Sequence, residues 1–320
     1  MATLITGGTG FIGAEVVRLL LDRGEQRPVV FHVSGNTRRL DDVADQAELV
    51  RGDLSNFSHV LDVVKKVKPS VIYHLGAMLS VPSDADPSAA FHVNAMGTFH
   101  VLEAARLFDV PQVLFSSSIS TYGLDFEGEV IDDTTIQRPV FFYGATKLFC
   151  EHMGLFYKRK YGLDFRCVRY PSIVGPGVKT PGVAQYTSWV IEECAKGKLF
   201  TMWAPPDTHC PVLYFKDAAR AIVELGQAPL GNIKSVNYLL AGIDPIASAG
   251  ELADMVRARV PGAQIDFQPN PALYPILAKL TVRFDDRRAR EEWNWAPHYT
   301  QEQIVDDFLS EMRLHAHRYA

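Results

Sequence analysis

The sequence is poor in the features that would direct it to a metal, a nucleic acid or a membrane. Its 320 residues include four cysteines, Cys150, Cys167, Cys194 and Cys210. They are widely spaced and form no C-x-x-C pair, so neither a metal cluster nor a redox motif is expected, and a reduced cytoplasmic setting is. Basic residues form no run, and the formal net charge is −5. A nucleic-acid or anionic-membrane partner therefore has no support. No apolar stretch reaches the roughly 18 residues needed to span a bilayer. The opening apolar run, residues 2–6, is too short for a signal core, so no export is expected.

What is present is an alternation. Short apolar runs at 2–6, 28–33, 47–51, 71–75, 112–116 and 165–170 read as buried strands. Amphipathic stretches between them, at 11–23, 57–67, 88–108 and 140–161, read as helices. Strands alternating with helices imply right-handed crossovers and parallel pairing, hence an α/β fold with a doubly wound, Rossmann-type sheet. The pattern loosens after Pro171, where 171–186 is rich in Gly, Pro and Thr and reads as a loop. Residues 1–170 are therefore assigned to an NAD(P)-binding domain. Residues 171–320 are assigned mainly to a smaller mixed α/β substrate domain, with a return to the sheet near 212–240.

Gly7, Gly10 and Gly13 lie between the first strand and the first helix with G-x-x-G-x-x-G spacing. Gly7 permits a sharp turn, Gly10 the approach of a pyrophosphate, and Gly13 close packing of helix on sheet. The helix N-terminus offers unpaired N–H groups and partial positive charge to phosphate. NAD-binding domains usually end the second strand in Asp or Glu, which holds the ribose hydroxyls. Here that position is His32, and Arg38 and Arg39 follow, within reach of a 2′-phosphate or on a solvated face. NAD and NADP both stay open on these residues. Asp53, after the third strand, is placed as an adenine contact or a helix cap.

Tyr143 and Lys147 form a Y-x-x-x-K pair, which a helix puts on one face. A phenol with a pKa of about 10 is a poor base at neutral pH, and a nearby ammonium favours its anion. Lowering that pKa by about 3 units takes roughly 4 kcal/mol, which Lys147 and a nicotinamide cation would supply together. The fifth strand ends in a serine cluster, Ser116, Ser117, Ser118 and Ser120. Ligands sit at the carboxyl ends of strands in such sheets, and Ser118 is taken as the member that meets the substrate oxygen.

These pieces, with Gly52-Asp53-Leu54, His74-Leu75-Gly76-Ala77, Asn94-Ala95-Met96-Gly97-Thr98 and Arg169-Tyr170-Pro171, resemble the extended short-chain dehydrogenase/reductase family, also called the NAD-dependent epimerase/dehydratase family. Within it the chain is most similar to the short-chain-type L-threonine 3-dehydrogenases, through 73–80, 206–218 and 285–295. The resemblance implies NAD as cofactor, held by Gly7, Gly10, Phe11, Ile12, His32, Ser34, Arg38, Asp53, Leu54, Leu75, Gly76, Ala77, Asn94, Ser116, Tyr143, Lys147, Tyr170 and Ile173. It implies catalysis by Ser118, Tyr143 and Lys147, with substrate gripped by Ser80, Ser118, Ser120, Tyr143, Tyr186 and Trp203. It also implies a homodimer formed through the helices at 88–108 and 140–161. Three departures stand out. The threonine pair over the substrate is missing from 181–186, His209 stands for an arginine, and His32 replaces the ribose-binding acid. The expected activity is oxidation of the secondary alcohol of a small 3-hydroxy amino acid. The alternative is a UDP-sugar 4-epimerase or dehydratase using the same three residues.

Overall fold

In the computed structural model, which describes residues 2–280 and 282–319, seven strands form one parallel sheet. They are β1 (Thr3–Thr6), β2 (Val29–His32), β3 (Glu48–Arg51), β4 (Val71–His74), β5 (Gln112–Ser118), β6 (Asp164–Tyr170) and β7 (Asn237–Leu239). Their spatial order is β7-β6-β5-β4-β1-β2-β3. The central strands are apolar on both faces because helices cover both. On one face α1 (Phe11–Asp22) packs beside a helix at Phe215–Gln227. Val16, Val17 and Leu20 meet Ala218, Ile222 and Leu225 there. The other face carries α2 (Phe57–Val67), α3 (Gly97–Leu107) and α4 (Phe142–Tyr161). Val60, Val64, Val101, Leu102 and Cys150 fill that core. All four cysteines are buried and unpaired, behaving as small apolar side chains.

The expected strands and helices of the first half lie within a residue or two of those observed. Three differences matter to the site. The helix expected at 88–108 is built in three pieces, Pro87–Ala90, a π-helical Phe91–Met96, and α3. Residues 80–85, where Pro82 discourages a helix, form a short one, Ser80–Ala85. Pro82 is tolerated because it sits in the first turn, where an N–H has no intrahelical partner. The loop expected at 171–186 contains a strand, Ser172–Val174, paired in parallel with Val212–Tyr214 outside the main sheet. The chain rejoins the main sheet only at β7, beside β6. A separate core of Tyr186, Val190, Met202, Tyr214, Leu252 and Phe308 supports this second half. No helix among the described residues is long and apolar enough to cross a membrane.

Candidate active site

β1 leads off to β2 on one side and β4 lies on the other, so a crevice opens between their carboxyl ends. The glycine loop lines it. Gly7 has φ +70°, and a Cβ there would lie 2.7 Å from the Gly76 Cα. A Cβ on Gly13 would lie 2.3 Å from the Gly7 carbonyl oxygen. Both positions are closed to a side chain by the fold itself. Gly10 differs. It caps α1 with extended backbone, and a Cβ would meet only the Gly7 oxygen at 3.0 Å. What Gly10 keeps clear is the space in front of the helix N-terminus, which suits a pyrophosphate. Gly10→Ala is therefore expected to fold and melt nearly as the parent does, yet to weaken NAD binding by about tenfold or more, the size of one or two lost charge-assisted hydrogen bonds. Calorimetric titration beside a melting curve checks this, and a variant binding NAD at parent strength would contradict it.

At the ribose end, His32 closes β2 and is 8% exposed, its Nδ1 3.0 Å from the Ser34 carbonyl oxygen. The Ser34 hydroxyl accepts from the Asn36 N–H at 3.0 Å, and the Arg38 N–H donates to Asn36 Oδ1 at 3.0 Å. The two arginines part ways here. Arg38 is exposed, whereas Arg39 donates to the Gly177 oxygen at 2.6 Å and lies over the rings of Phe11 and Tyr319, 5.4 Å from each centroid. Asp53 does not cap α2. Its Oδ1 accepts from the Ser55 N–H at 2.8 Å, and Asn56 provides the cap.

The reactive end is set by strand alternation. Successive side chains of β5 point to opposite faces. Ser117 turns inward, donating to Glu151 Oε1 at 2.5 Å. Ser118, the last residue of β5, turns the other way; its hydroxyl donates to Ser120 Oγ at 3.2 Å and lowers the pKa of the Tyr143 phenol. Its hydroxyl also accepts from the Ser120 N–H at 3.1 Å. Gly144 lets α4 approach this turn, since a Cβ there would lie 2.0 Å from the Ser120 oxygen. One turn on, Lys147 is 2% exposed and donates from Nζ to the Ser116 oxygen at 2.7 Å, with Nζ 5.6 Å from the Tyr143 ring centroid.

Burial pushes the Tyr143 phenol above its ordinary value, and the Ser118 hydroxyl opposes the rise. Burial lowers Lys147 to about 8. An unfolded chain holds that proton more tightly, so burying Lys147 opposes folding at neutral pH. The opposition is complete below about 8 and fades as pH climbs toward the unfolded value of 10.5. Lys147→Met is expected to stabilise the ligand-free chain at pH 7 by on the order of 1–2 kcal/mol, after the lost hydrogen bond is counted. The advantage shrinks by pH 10. Denaturant melts at the two pH values measure it, and a destabilised variant at pH 7 would refute it.

Residues 3–240 match the family model described as the NAD dependent epimerase/dehydratase family. The chain belongs to that family. It is an NAD-dependent oxidoreductase. The mitochondrial L-threonine 3-dehydrogenase of Bos taurus is 29% identical over 308 residues, covering 96% of this chain and 81% of that protein. D-erythronate dehydrogenase of Cupriavidus necator is 33% identical over 272 residues, covering 80% of this chain and 82% of its own. A solved holo L-threonine dehydrogenase from Cupriavidus necator superposes with a TM-score of 0.87 at 27% identity, covering 98% of this chain and 100% of that one.

In this epimerase/dehydratase chain several side chains expected in the groove are committed elsewhere. Asn94 is 2% exposed. Its Oδ1 accepts from the Met78 N–H at 2.8 Å, and Nδ2 donates to the Met78 oxygen at 3.0 Å and to Thr146 Oγ1 at 3.2 Å. It fastens the segment after β4 to α4. Tyr170 donates its hydroxyl to the Ala218 oxygen at 2.7 Å within the core. Tyr186 is buried edge-on against Trp203, ring centroids 6.0 Å apart. Trp203 donates from Nε1 to the Val183 oxygen at 2.8 Å, holding the loop of 175–185. Ile173 lies in the short strand beside that loop, and Ser80 opens the short helix Ser80–Ala85. Leu75, Gly76 and Ala77 follow β4, where the Leu75 N–H donates to the Thr6 oxygen at 3.1 Å. Leu54 packs against Gly76, and Ile12 is partly buried in α1.

Sequence reasoning missed three supports. Asp84 accepts from the Phe142 N–H at 2.9 Å, tying the short helix to the start of α4. His74 lies between Thr6 Oγ1 at 2.7 Å and Thr98 Oγ1 at 3.0 Å, and burial lowers it to about 3, which keeps it neutral. Glu151, four residues beyond Lys147, pairs with Arg169 at 2.7 Å. The Y-x-x-x-K spacing extended by one more turn was the available signal for Glu151.

Proposed function

We propose that the chain oxidises the secondary alcohol of a small 3-hydroxy acid, foremost a 3-hydroxy amino acid such as L-threonine, with NAD accepting the hydride. The buried Tyr143 phenol, with the Ser118 hydroxyl lowering its pKa and Lys147 one helical turn away, carries the reading. Tyr143 as phenolate takes the hydroxyl proton as the carbon–hydrogen bond breaks, leaving a ketone. Ser118 orients the substrate oxygen and favours the phenolate. Lys147 adds positive charge and reaches the ribose. Bound nicotinamide supplies the hydride acceptor and a cationic ring. L-Threonine would yield 2-amino-3-oxobutanoate. On this reading residues 1–170 hold the dinucleotide, with β7 completing their sheet, and 171–320 provide most of the substrate side.

The threonine dehydrogenase relatives support the amino-acid substrate. The 33% identity to D-erythronate dehydrogenase, together with the missing threonine pair at 181–186, favours a hydroxy acid without the amine as the second reading. Incubating the enzyme with NAD and L-threonine, and in parallel with D-erythronate, while following reduced nicotinamide decides between them. Absence of reduction with every 3-hydroxy acid tried removes the proposal. Net isomerisation of a UDP-sugar without cofactor turnover would put an epimerase in its place.

Two further features fit this enzyme. Phe91, Leu107, Phe149, Phe156 and Tyr161 are exposed on the helices at 87–107 and 142–161. We place a homodimer interface there, to be checked by light scattering of the parent and of Phe149→Glu, which should be monomeric. The four buried thiols fit a reducing compartment, and we place the enzyme in the cytoplasm.

A further inference from the structure

The ribose end of the crevice does not match a plain NAD site. A carboxylate at the end of β2 would pair with the ribose hydroxyls and repel a 2′-phosphate. This chain has His32 there, its Nδ1 turned to the Ser34 oxygen. Arg51, the last residue of β3, is the register partner of His32, so both side chains leave the sheet on the same face. Arg51 and Arg38 are exposed, and neither guanidinium has a partner among the described residues. Of the nearby carboxylates, Asp41 is exposed three residues beyond Arg38, whereas Asp42 and Asp53 have partners. Asp42 is paired with Arg18 and Arg318 at 2.9 Å each, and Asp53 is folded into its own turn. Arg39 is not available to a ligand, being held by Gly177, Phe11 and Tyr319.

We propose that this end of the crevice is a 2′-phosphate subsite, read by Arg38 with Arg51 beside it, so that the enzyme binds NADP at least as well as NAD. The inference rests on the dinucleotide reading of the crevice and extends it to the phosphate. A phosphate monoester brings nearly two negative charges and three acceptor oxygens. A guanidinium fork matches those oxygens in pairs, which a neutral ribose hydroxyl cannot exploit.

The test is calorimetric titration of the full-length protein with 2′,5′-ADP and with 5′-ADP, repeated with NADP and NAD. We expect 2′,5′-ADP to bind roughly tenfold tighter or more, with the gap narrowing as salt is raised. Arg38→Ala should collapse the gap by weakening 2′,5′-ADP alone, and since the side chain is exposed its melting curve should match the parent. His32→Asp should turn the preference toward NAD. Equal or tighter binding of 5′-ADP by the parent overturns the proposal, as does an Arg38→Ala variant that loses both ligands equally. If NAD binds and the 2′-phosphate ligands do not, only this subsite falls. If no dinucleotide binds, the reading of the crevice falls with it.

Discussion

Tyr143→Phe lowers kcat by roughly 10²–10⁴-fold, the span of a positioned acid or base, while NAD affinity and melting temperature hold. Only the hydroxyl is removed, and Ser118 keeps its hydrogen bonds with the Ser120 hydroxyl and N–H, so the surroundings do not collapse. On the proposed mechanism the loss falls on the chemical step, because the phenol is the group that takes the proton there. Burial raises the Tyr143 pKa and the Ser118 hydroxyl opposes this. Ser118→Ala should therefore slow alcohol oxidation and also move its rising pH limb to higher pH. A structural role for Ser118 alone would lower the rate at every pH alike, so the profile separates the two. Stopped-flow reduction of NAD across the pH range reads both variants. A Tyr143→Phe enzyme within tenfold of the parent would mean that another group moves the proton.

The parts of this arrangement that were legible in the sequence are those written in local pattern. Each central strand is apolar on both faces, so its run stands out, as with Leu4 and Ile5 in β1. The phosphate loop is legible because Gly7 and Gly13 cannot carry side chains, whatever binds there. The Tyr143–Lys147 pair follows from helical spacing. The choice among the serines required the phase of β5, and the strand runs two residues past the expected 116, to Ser118. Tyr170 and Tyr186 were drawn to the groove by position, but both rings are in cores, where Tyr170 satisfies its hydroxyl on a backbone oxygen. A tyrosine carries both an apolar ring and a polar tip, and sequence alone does not say which one decides its place. Asn94 was legible as a polar residue on a helix, but its amide partners Met78 and Thr146 lie 16 and 52 residues away. The same distance problem hid the Glu151–Arg169 pair, joined across α4 and β6.

That pair should give the largest change in stability. Glu151 is 1% exposed, and its carboxylate accepts from Arg169 Nη2 at 2.7 Å, from Ser117 at 2.5 Å and from Asn237 Nδ2 at 3.1 Å. Arg169 also donates to the Tyr122 hydroxyl at 3.0 Å and to Gln137 Oε1 at 3.1 Å. Arg169→Ala leaves a buried carboxylate with hydrogen bonds but no counter-charge, a loss of about 3–5 kcal/mol. The melting temperature should fall by on the order of 10 °C. The double variant Glu151→Leu with Arg169→Met removes both charges together and should recover much of that loss, because an apolar pair of similar volume avoids the desolvation penalty. Activity should not recover with it. Ser117 is the inward residue between Ser116, which holds Lys147, and Ser118, whose hydroxyl lowers the pKa of Tyr143. Without Glu151 to receive the Ser117 hydroxyl, the end of β5 loses its anchor, and the two reactive groups lose their fixed separation. Recovered melting with depressed kcat and little change in KM would assign the ion pair a positioning role. Full recovery of both would make it structural only.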